Sequence, residues 1–347
     1  MTLRQVMQAG GTAFDDRARR AGGRLRELTL RPHGLYGAAV LRIGVSGLFL
    51  LQLLREIGHA DRLWGPGSPY TPELFAETTR ARGQDGTLSW WYTWLGTEST
   101  DLFWAAYALA VVVSVLYLLG WHTRVMAVLF AFVVAGFYVR GSLANGGFAL
   151  LSLLFANYLV LCASGRRWSL DARRAARSAR TEQRGPEQHP EPVGPTEELR
   201  RRIVTVLHNA GLALFAFQVM VIYGTAGLYK VRGESWRDGS ALYYSLHLDD
   251  FATFPELSAW IADQTHWMAF LAYATVFSQV LFPALVFNRR LKYAALAVMF
   301  GIHLGIGLLL ALPMFSAITI VGDLVFLPTA FWLGAARVAR TLRGPGT

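Results

Sequence analysis

The sequence predicts an all-α, polytopic membrane protein, a bundle of about eight transmembrane helices with both termini on the cytoplasmic side. Three observations carry that prediction. Hydrophobic residues fill 53% of the 347 positions and charged residues only 16%. A soluble domain of this size needs roughly 25% charge to coat its surface, so most of this surface must face lipid. The apolar residues gather into eight runs, each near the length of about 20 residues that a hydrocarbon core of about 30 Å demands. Finally, the arginines between the runs alternate in density as the positive-inside rule requires.

In chain order the runs cover approximately 36–54, 102–119, 121–140, 147–164, 203–229, 267–287, 293–312 and 314–336. The third has the shortest purely apolar part, Val125 to Val139. With the N-terminus inside, inner segments hold 24 of the 33 lysines and arginines and outer segments hold 7; Arg42 and Arg55 lie within or beside the first run. Removing one span would reverse the bias in every later loop, so an even number is favoured. The net charge of +10 resides in these loops rather than on one basic domain, and nucleic acid is not implied as a partner.

Residues 1–35 form a basic N-terminal segment with Arg17, Arg19, Arg20, Arg24 and Arg26 and no apolar core. The first span, rather than a cleaved signal peptide, is expected to direct insertion. Residues 36–336 form the transmembrane domain and 337–347 a cytoplasmic tail. The single cysteine, Cys162, leaves no intrachain disulfide and no cysteine-rich metal site. It reads as a small buried residue, and no metal is implied.

The outer loop 58–101 carries Gly65-Pro66-Gly67 and then Trp90, Trp91, Tyr92 and Trp94. These rings are expected to lie flat at the outer interface. Residues 171–200 are rich in Arg, Glu, Pro and Gly without periodicity and read as a disordered cytoplasmic linker. The second outer loop, 230–266, carries Trp236, Tyr243, Tyr244 and Trp260, which point to interfacial or re-entrant segments. No internal repeat supports a transporter built from inverted halves.

Ionisable groups at membrane depth are costly and therefore informative. They are Arg42, His303 and Asp323, with Asn157, Gln218 and Gln279 as neutral company. His303 lies ten residues before Pro313 and Asp323 ten after it. A turn at Pro313 would place both about 15 Å below the outer surface, on adjacent helices and able to pair. Either a structural hydrogen-bond network, with Arg42 as a further member, or a functional site fits that arrangement. Lys230 ends the fifth run, where a lysine ordinarily snorkels to the interface as an anchor.

The stretch Ala226-Gly227-Leu228-Tyr229-Lys230, continuing to Trp236 and Gly239, resembles the membrane domain of the vitamin K-dependent γ-carboxylase family, whose bacterial members carry the horizontally transferred transmembrane (HTTM) domain. Further landmarks agree in order. They are Gly120-Trp121 with Thr123-Arg124, Asn145-Gly146-Gly147, Trp168-Ser169-Leu170-Asp171, His303-Leu304-Gly305, Pro313 with Phe315, and Phe326-Leu327-Pro328. Together they cover roughly residues 36–330.

The resemblance implies that Lys230 is a base acting on a quinone or hydroquinone cofactor at the outer face, with a peptide or lipid substrate. A lysine serves as a base only when neutral, which desolvation and nearby cations such as Arg232 would favour. Lys230 and His303 are the catalytic candidates of this reading. Tyr223, Gly227, Trp236, Asp323 and Arg42 are the candidates for substrate binding. Gly224 and Gly227 could instead serve ordinary close helix packing.

Two departures count against glutamate carboxylation. Phe148 stands where the carboxylases place a catalytic histidine, and the large lumenal domain of the animal enzymes has no counterpart here. The alternative is a maturation factor for a secreted peptide toxin, like the sporulation-delaying B-type relatives, with a secreted peptide precursor as partner beside the lipid bilayer. One geometric tension remains. Arg202 to Lys230 is 28 residues, or about 42 Å of helix, longer than the hydrocarbon core. A pocket for Lys230 therefore requires the fifth helix to begin in the cytoplasm, to tilt, or to break near Gly224.

Overall fold

The computed structural model describes residues 23, 26–83, 86, 89–182, 194–248 and 253–342. Most of the basic N-terminal segment, the centre of the 171–200 stretch and residues 343–347 lie outside them. Among the described residues every regular element is helical. The principal helices are α1 (Leu35–Arg55), α2 (Thr100–Leu119), α3 (Thr123–Arg140), α4 (Gly147–Leu161), α5 (Pro195–Arg232), α6 (Thr265–Leu285), α7 (Leu291–Leu309), α8 (Pro313–Asp323) and α9 (Thr329–Leu342).

Six of them, α1, α2, α3, α5, α6 and α7, are long and apolar enough to cross a membrane. Two of the eight expected spans take other forms. The fourth is an apolar helix of only 15 residues. The last, expected as a straight span over 314–336, is bent by 112° between Phe326 and Thr329. Pro328 explains the break: it lacks an N–H donor and its ring pushes the preceding residue out of the helical region. Leu327 is accordingly extended, with φ −80° and ψ 128°.

One continuous core joins the bundle. Phe49, Tyr117, Phe130, Phe137 and Tyr107 fill it among α1, α2 and α3, and Phe155, Phe215, Tyr223 and Phe282 extend it through α4, α5 and α6. The Tyr107 hydroxyl donates to Leu53 O, tying α2 to α1. The end that carries the arginine-rich connections is fastened by α5. Ala163 N–H donates to His208 Nδ1 at 3.1 Å, which leaves Nε2 as the protonated nitrogen, 2.7 Å from His33 O. Asn209 Nδ2 donates to Leu28 O and Arg31 O.

Two loop expectations change. Leu170–Glu182, read as part of a disordered linker, is helical. Its alanines and arginines are strong helix formers that need no apolar face to adopt the helix, and Asp171 sits favourably in the first turn. Residues 183–193 lie outside the described residues. The tryptophans of the first outer loop do not all lie flat at an interface: Trp94 stacks on Phe132 of α3 at 5.0 Å and 17°, and Trp91 meets the same ring edge-on. Arg140, buried at the end of α3, holds that loop by donating to Gly65 O at 2.7 Å and to Tyr70 O. Cys162 is buried, as expected.

Candidate functional site

The site is built on the pairing of α5 with α6. A Cβ on Gly227 would fall 2.7 Å from Val280 Cγ2 and 2.8 Å from Val280 N, so glycine is what lets the two backbones close together. Gly224 faces Pro283. The helices run antiparallel: 227 is level with 280 and 224 with 283. Gly227 therefore serves helix packing, the alternative already open in the sequence, rather than lining an evident substrate surface.

Tyr223, Gly227 and Lys230 are spaced four and three residues apart and share one face of α5. Continuing the register brings Lys230 level with about residue 277 of α6. The helix then projects about 18 Å further, to Thr265. Lys230 thus lies in the last turn of its own helix without lying at the end of the bundle. Its ammonium stands 5.1 Å from the centroid of the Trp236 ring, contributed by the short helix Glu234–Arg237. Tyr273 of α6 donates to Arg237 O at 2.8 Å and fixes that segment over the lysine. α5 is unbroken at Gly224 over its 38 residues, about 57 Å. Of the routes the sequence left open, the break near Gly224 is not taken, which leaves an early start or a tilt of the helix. Its first turns carry Glu197–Arg201 and Glu198–Arg202 ion pairs at 3.0 and 2.7 Å.

Deeper on the same face, Tyr223 stands between His303 of α7 and Asp323 of α8. Its hydroxyl donates to Asp323 Oδ2 at 2.9 Å, and its ring lies 6.0 Å from the His303 ring. Of the direct or water-bridged contact expected between His303 and Asp323, the direct form is not made: no hydrogen bond or ion pair joins them among the described residues. Both meet the same tyrosine, from adjacent helices. Three buried polar atoms have no hydrogen-bond partner: Asp323 Oδ1 and both ring nitrogens of His303. Gln279 Oε1, next to Val280 at the Gly227 contact, is a fourth. Buried polar groups are ordinarily hydrogen-bonded, so these four atoms keep unused bonding capacity.

Arg42 does not join this group. Fully buried in α1, it donates from Nη2 to Trp168 O at 2.6 Å. Gly120, with φ +70°, passes so close that a Cβ there would lie 1.8 Å from Arg42 Nη1. Asp171 then accepts from His122 N–H (3.0 Å), Thr123 N–H (2.7 Å) and Thr123 Oγ1 (2.6 Å), capping α3 from the first turn of the Leu170–Glu182 helix. Two of the sequence landmarks, Gly120–Arg124 and Trp168–Asp171, therefore meet around Arg42 as one structural node.

A separate cleft of about 330 Å³ opens where α1 and α3 end and α4 and α8 begin. Gln52, Arg55, Glu56 and Asn145 give it a polar side, and Trp64, Phe137, Tyr138, Phe148 and Phe315 its aromatic walls. Phe148 is one wall and brings no acid or base. Phe315 is shared: its ring faces this cleft on one side and His303, 5.8 Å away, on the other. Sequence reasoning missed Gln52, Arg55 and Glu56, because each is unremarkable at the end of an apolar run and only the fold gathers them. Lys230 does not line this cleft.

Four titratable side chains thus lie along one side of the bundle: Lys230 beside Trp236, and deeper, Tyr223 with Asp323 and His303. No family model, no curated protein and no solved structure matches this chain.

Proposed function

We propose that this is an integral membrane protein of the vitamin K-dependent γ-carboxylase-like, horizontally transferred transmembrane type, oriented with both ends in the cytoplasm, which performs lysine-assisted proton transfer on a lipophilic cofactor at its outer face. The observation that carries the reading is the position of a half-buried Lys230. It shares a face of α5 with Tyr223 and lies under Trp236, although its helix ends two residues later. A second observation supports it. The chain uses arginine for 31 of its 33 basic residues, and lysine only at 230 and 292. An anchor would be served equally well by arginine, whereas a base would not, since arginine stays charged.

The residues fit a quinone or hydroquinone in two respects. Trp236 offers a flat aromatic partner, and the unpaired His303 nitrogens offer hydrogen bonds to ring oxygens. A bound hydroquinone would supply an acidic hydroxyl within the reach of a lysine base. Lys230 would take that proton, His303 would orient the ring, and Tyr223 would hold Asp323 in place below. Glutamate carboxylation is not the favoured outcome, because Phe148 contributes no acid or base to the outer cleft.

A second reading is favoured by that cleft itself. Its aromatic walls and polar side suit a short peptide segment, as a maturation factor for a secreted peptide would need. One experiment separates the two. A photoreactive naphthoquinone with a prenyl tail is irradiated with the protein in lipid nanodiscs, and the labelled peptides are mapped. Labelling around Lys230, Trp236 and His303 that excess unlabelled naphthoquinone suppresses supports cofactor chemistry. Labelling spread without competition over the lipid-facing helices overturns it.

A further inference from the structure

We propose a second binding site, independent of Lys230, for a phosphate-bearing anion at the arginine-rich end of the bundle. A cleft of about 680 Å³ lies there, between the start of α3, the Cys162–Arg167 loop, the Leu170–Glu182 helix and the start of α5. Five guanidinium groups line it, from Arg124, Arg166, Arg167, Arg200 and Arg201, against two carboxylates, Asp171 and Glu197. The excess is three positive charges, and the pairing inside the cleft makes the imbalance sharper.

Both carboxylates are already engaged. Asp171 spends its oxygens on the N–H groups of His122 and Thr123 and on the Thr123 hydroxyl. Glu197 pairs with Arg200 and Arg201, both at 3.0 Å. Arg167 lies over the Tyr36 ring at 5.5 Å and donates to Arg166 O. Arg124 and Arg166 are left without a side-chain hydrogen bond or ion pair among the described residues. With Arg200 they line one cleft, and Arg166 and Arg200 both stand close enough to Arg124 to repel its charge.

Like charges converging on an open cleft raise each other's energy unless an anion sits between them. The α3 N-terminus is not the attraction, because Asp171 already caps it. Guanidinium groups in a fork match phosphate oxygens two at a time, which makes phosphate the fitting class of ligand. Ala172, Ala175 and Ala176 form the opposite wall, and their methyl side chains leave room for it. The same chemistry arises from an anionic phospholipid headgroup or from a soluble phosphate compound.

The experiment uses the full chain in nanodiscs with one arm for each source. In phosphatidylcholine discs, pyrophosphate is titrated while thermal unfolding is followed. In discs containing phosphatidylglycerol, lipid retained on the protein is counted by native mass spectrometry. Binding in either arm is expected, and the arm identifies the source. The double variant Arg124→Gln/Arg166→Gln should weaken it by roughly tenfold or more. Arg173→Gln/Arg177→Gln removes equal charge from the exposed side of the Leu170–Glu182 helix and should stay within about twofold, as expected for a screened surface charge. Should the glutamine pair fail to fold, Arg124→Lys/Arg166→Lys keeps the charge but loses the fork. Binding weakened by that variant supports the site, and unchanged binding overturns it. Failure of the wild type in both arms, or equal weakening by the control pair, also overturns it.

Discussion

The Tyr223 hydroxyl on α5 donates to Asp323 Oδ2 on α8 across 2.9 Å, while Asp323 Oδ1 has no partner. One hydrogen bond thus separates this buried carboxyl from complete isolation. Interhelical hydrogen bonds in membranes couple by about 0.6 to 1.7 kcal/mol, and leaving a buried polar group unpaired costs about 1–3 kcal/mol. Tyr223→Phe should therefore destabilise the protein by about 2 kcal/mol. Tyr223→Phe/Asp323→Leu should cost less than the sum of the two single changes by about 1 kcal/mol or more, because no orphan carboxyl remains. Unfolding in lipid discs measures the cycle; strict additivity would show that the two groups do not depend on each other.

Arg42 and Gly120 form a second coupled pair. A Cβ at position 120 would meet both a left-handed backbone and the Arg42 guanidinium, 1.8 Å away. Gly120→Ala should lower stability by about 2 kcal/mol or more, at the upper end of ordinary substitutions. Adding Arg42→Ala should recover part of that loss in the background of the glycine change, since the clash is with the arginine. A double variant less stable than predicted from the two singles would contradict this account.

Asp171 carries the pH dependence. Burial alone would raise its pKa, but hydrogen bonds from Thr123 and His122 outweigh it and hold the carboxyl below its ordinary value. A group whose folded pKa is depressed contributes stability that is fully present above its unfolded value and lost as pH falls through the folded one. The contribution should hence disappear below the ordinary carboxylate range, near pH 4. Asp171→Ala should cost about 1 kcal/mol at neutral pH as a lost helix cap and should flatten this part of the acid profile. A variant whose melting temperature falls with acid as steeply as the wild type would refute the assignment.

The sequence makes some of this legible and conceals the rest for identifiable reasons. The long apolar helices follow from run length, and the nearness of His303 and Asp323 on adjacent helices follows from counting residues around Pro313. Rotation about each helix is a different matter. Hydropathy in an all-apolar run has no polar face to report, so the interposition of Tyr223 could not be read. The bend at Pro328 disappears into an average over a window of apolar residues, although Phe326-Leu327-Pro328 stood out as a motif. The Leu170–Glu182 helix has no apolar stripe, only propensity. The cleft that Phe148 lines draws Gln52 from the end of α1, Asn145 from the connection before α4 and Phe315 from the start of α8, which no local pattern announces.

The enzymatic reading rests on Lys230, and Lys230→Arg tests it with the least disturbance. Arginine retains a cation able to face the Trp236 ring, now 5.1 Å from the ammonium, so the loop over the site should stay in place. Its exposed neighbours Leu228 and Tyr229 are unaffected, and unfolding should shift by no more than about 0.5 kcal/mol, as for a surface change. Function is another matter, because arginine cannot give up its proton at any ordinary pH. Complementation of a deletion strain should therefore be lost in Lys230→Arg, while competed naphthoquinone labelling, which needs binding and not proton transfer, should persist. Lys292→Arg provides the control. That lysine donates to Phe326 O at 3.2 Å in a structural role, and arginine can make the same bond. Full function in both variants would return Lys230 to the part of an interfacial anchor. Loss confined to position 230, with the fold intact, is what a base requires.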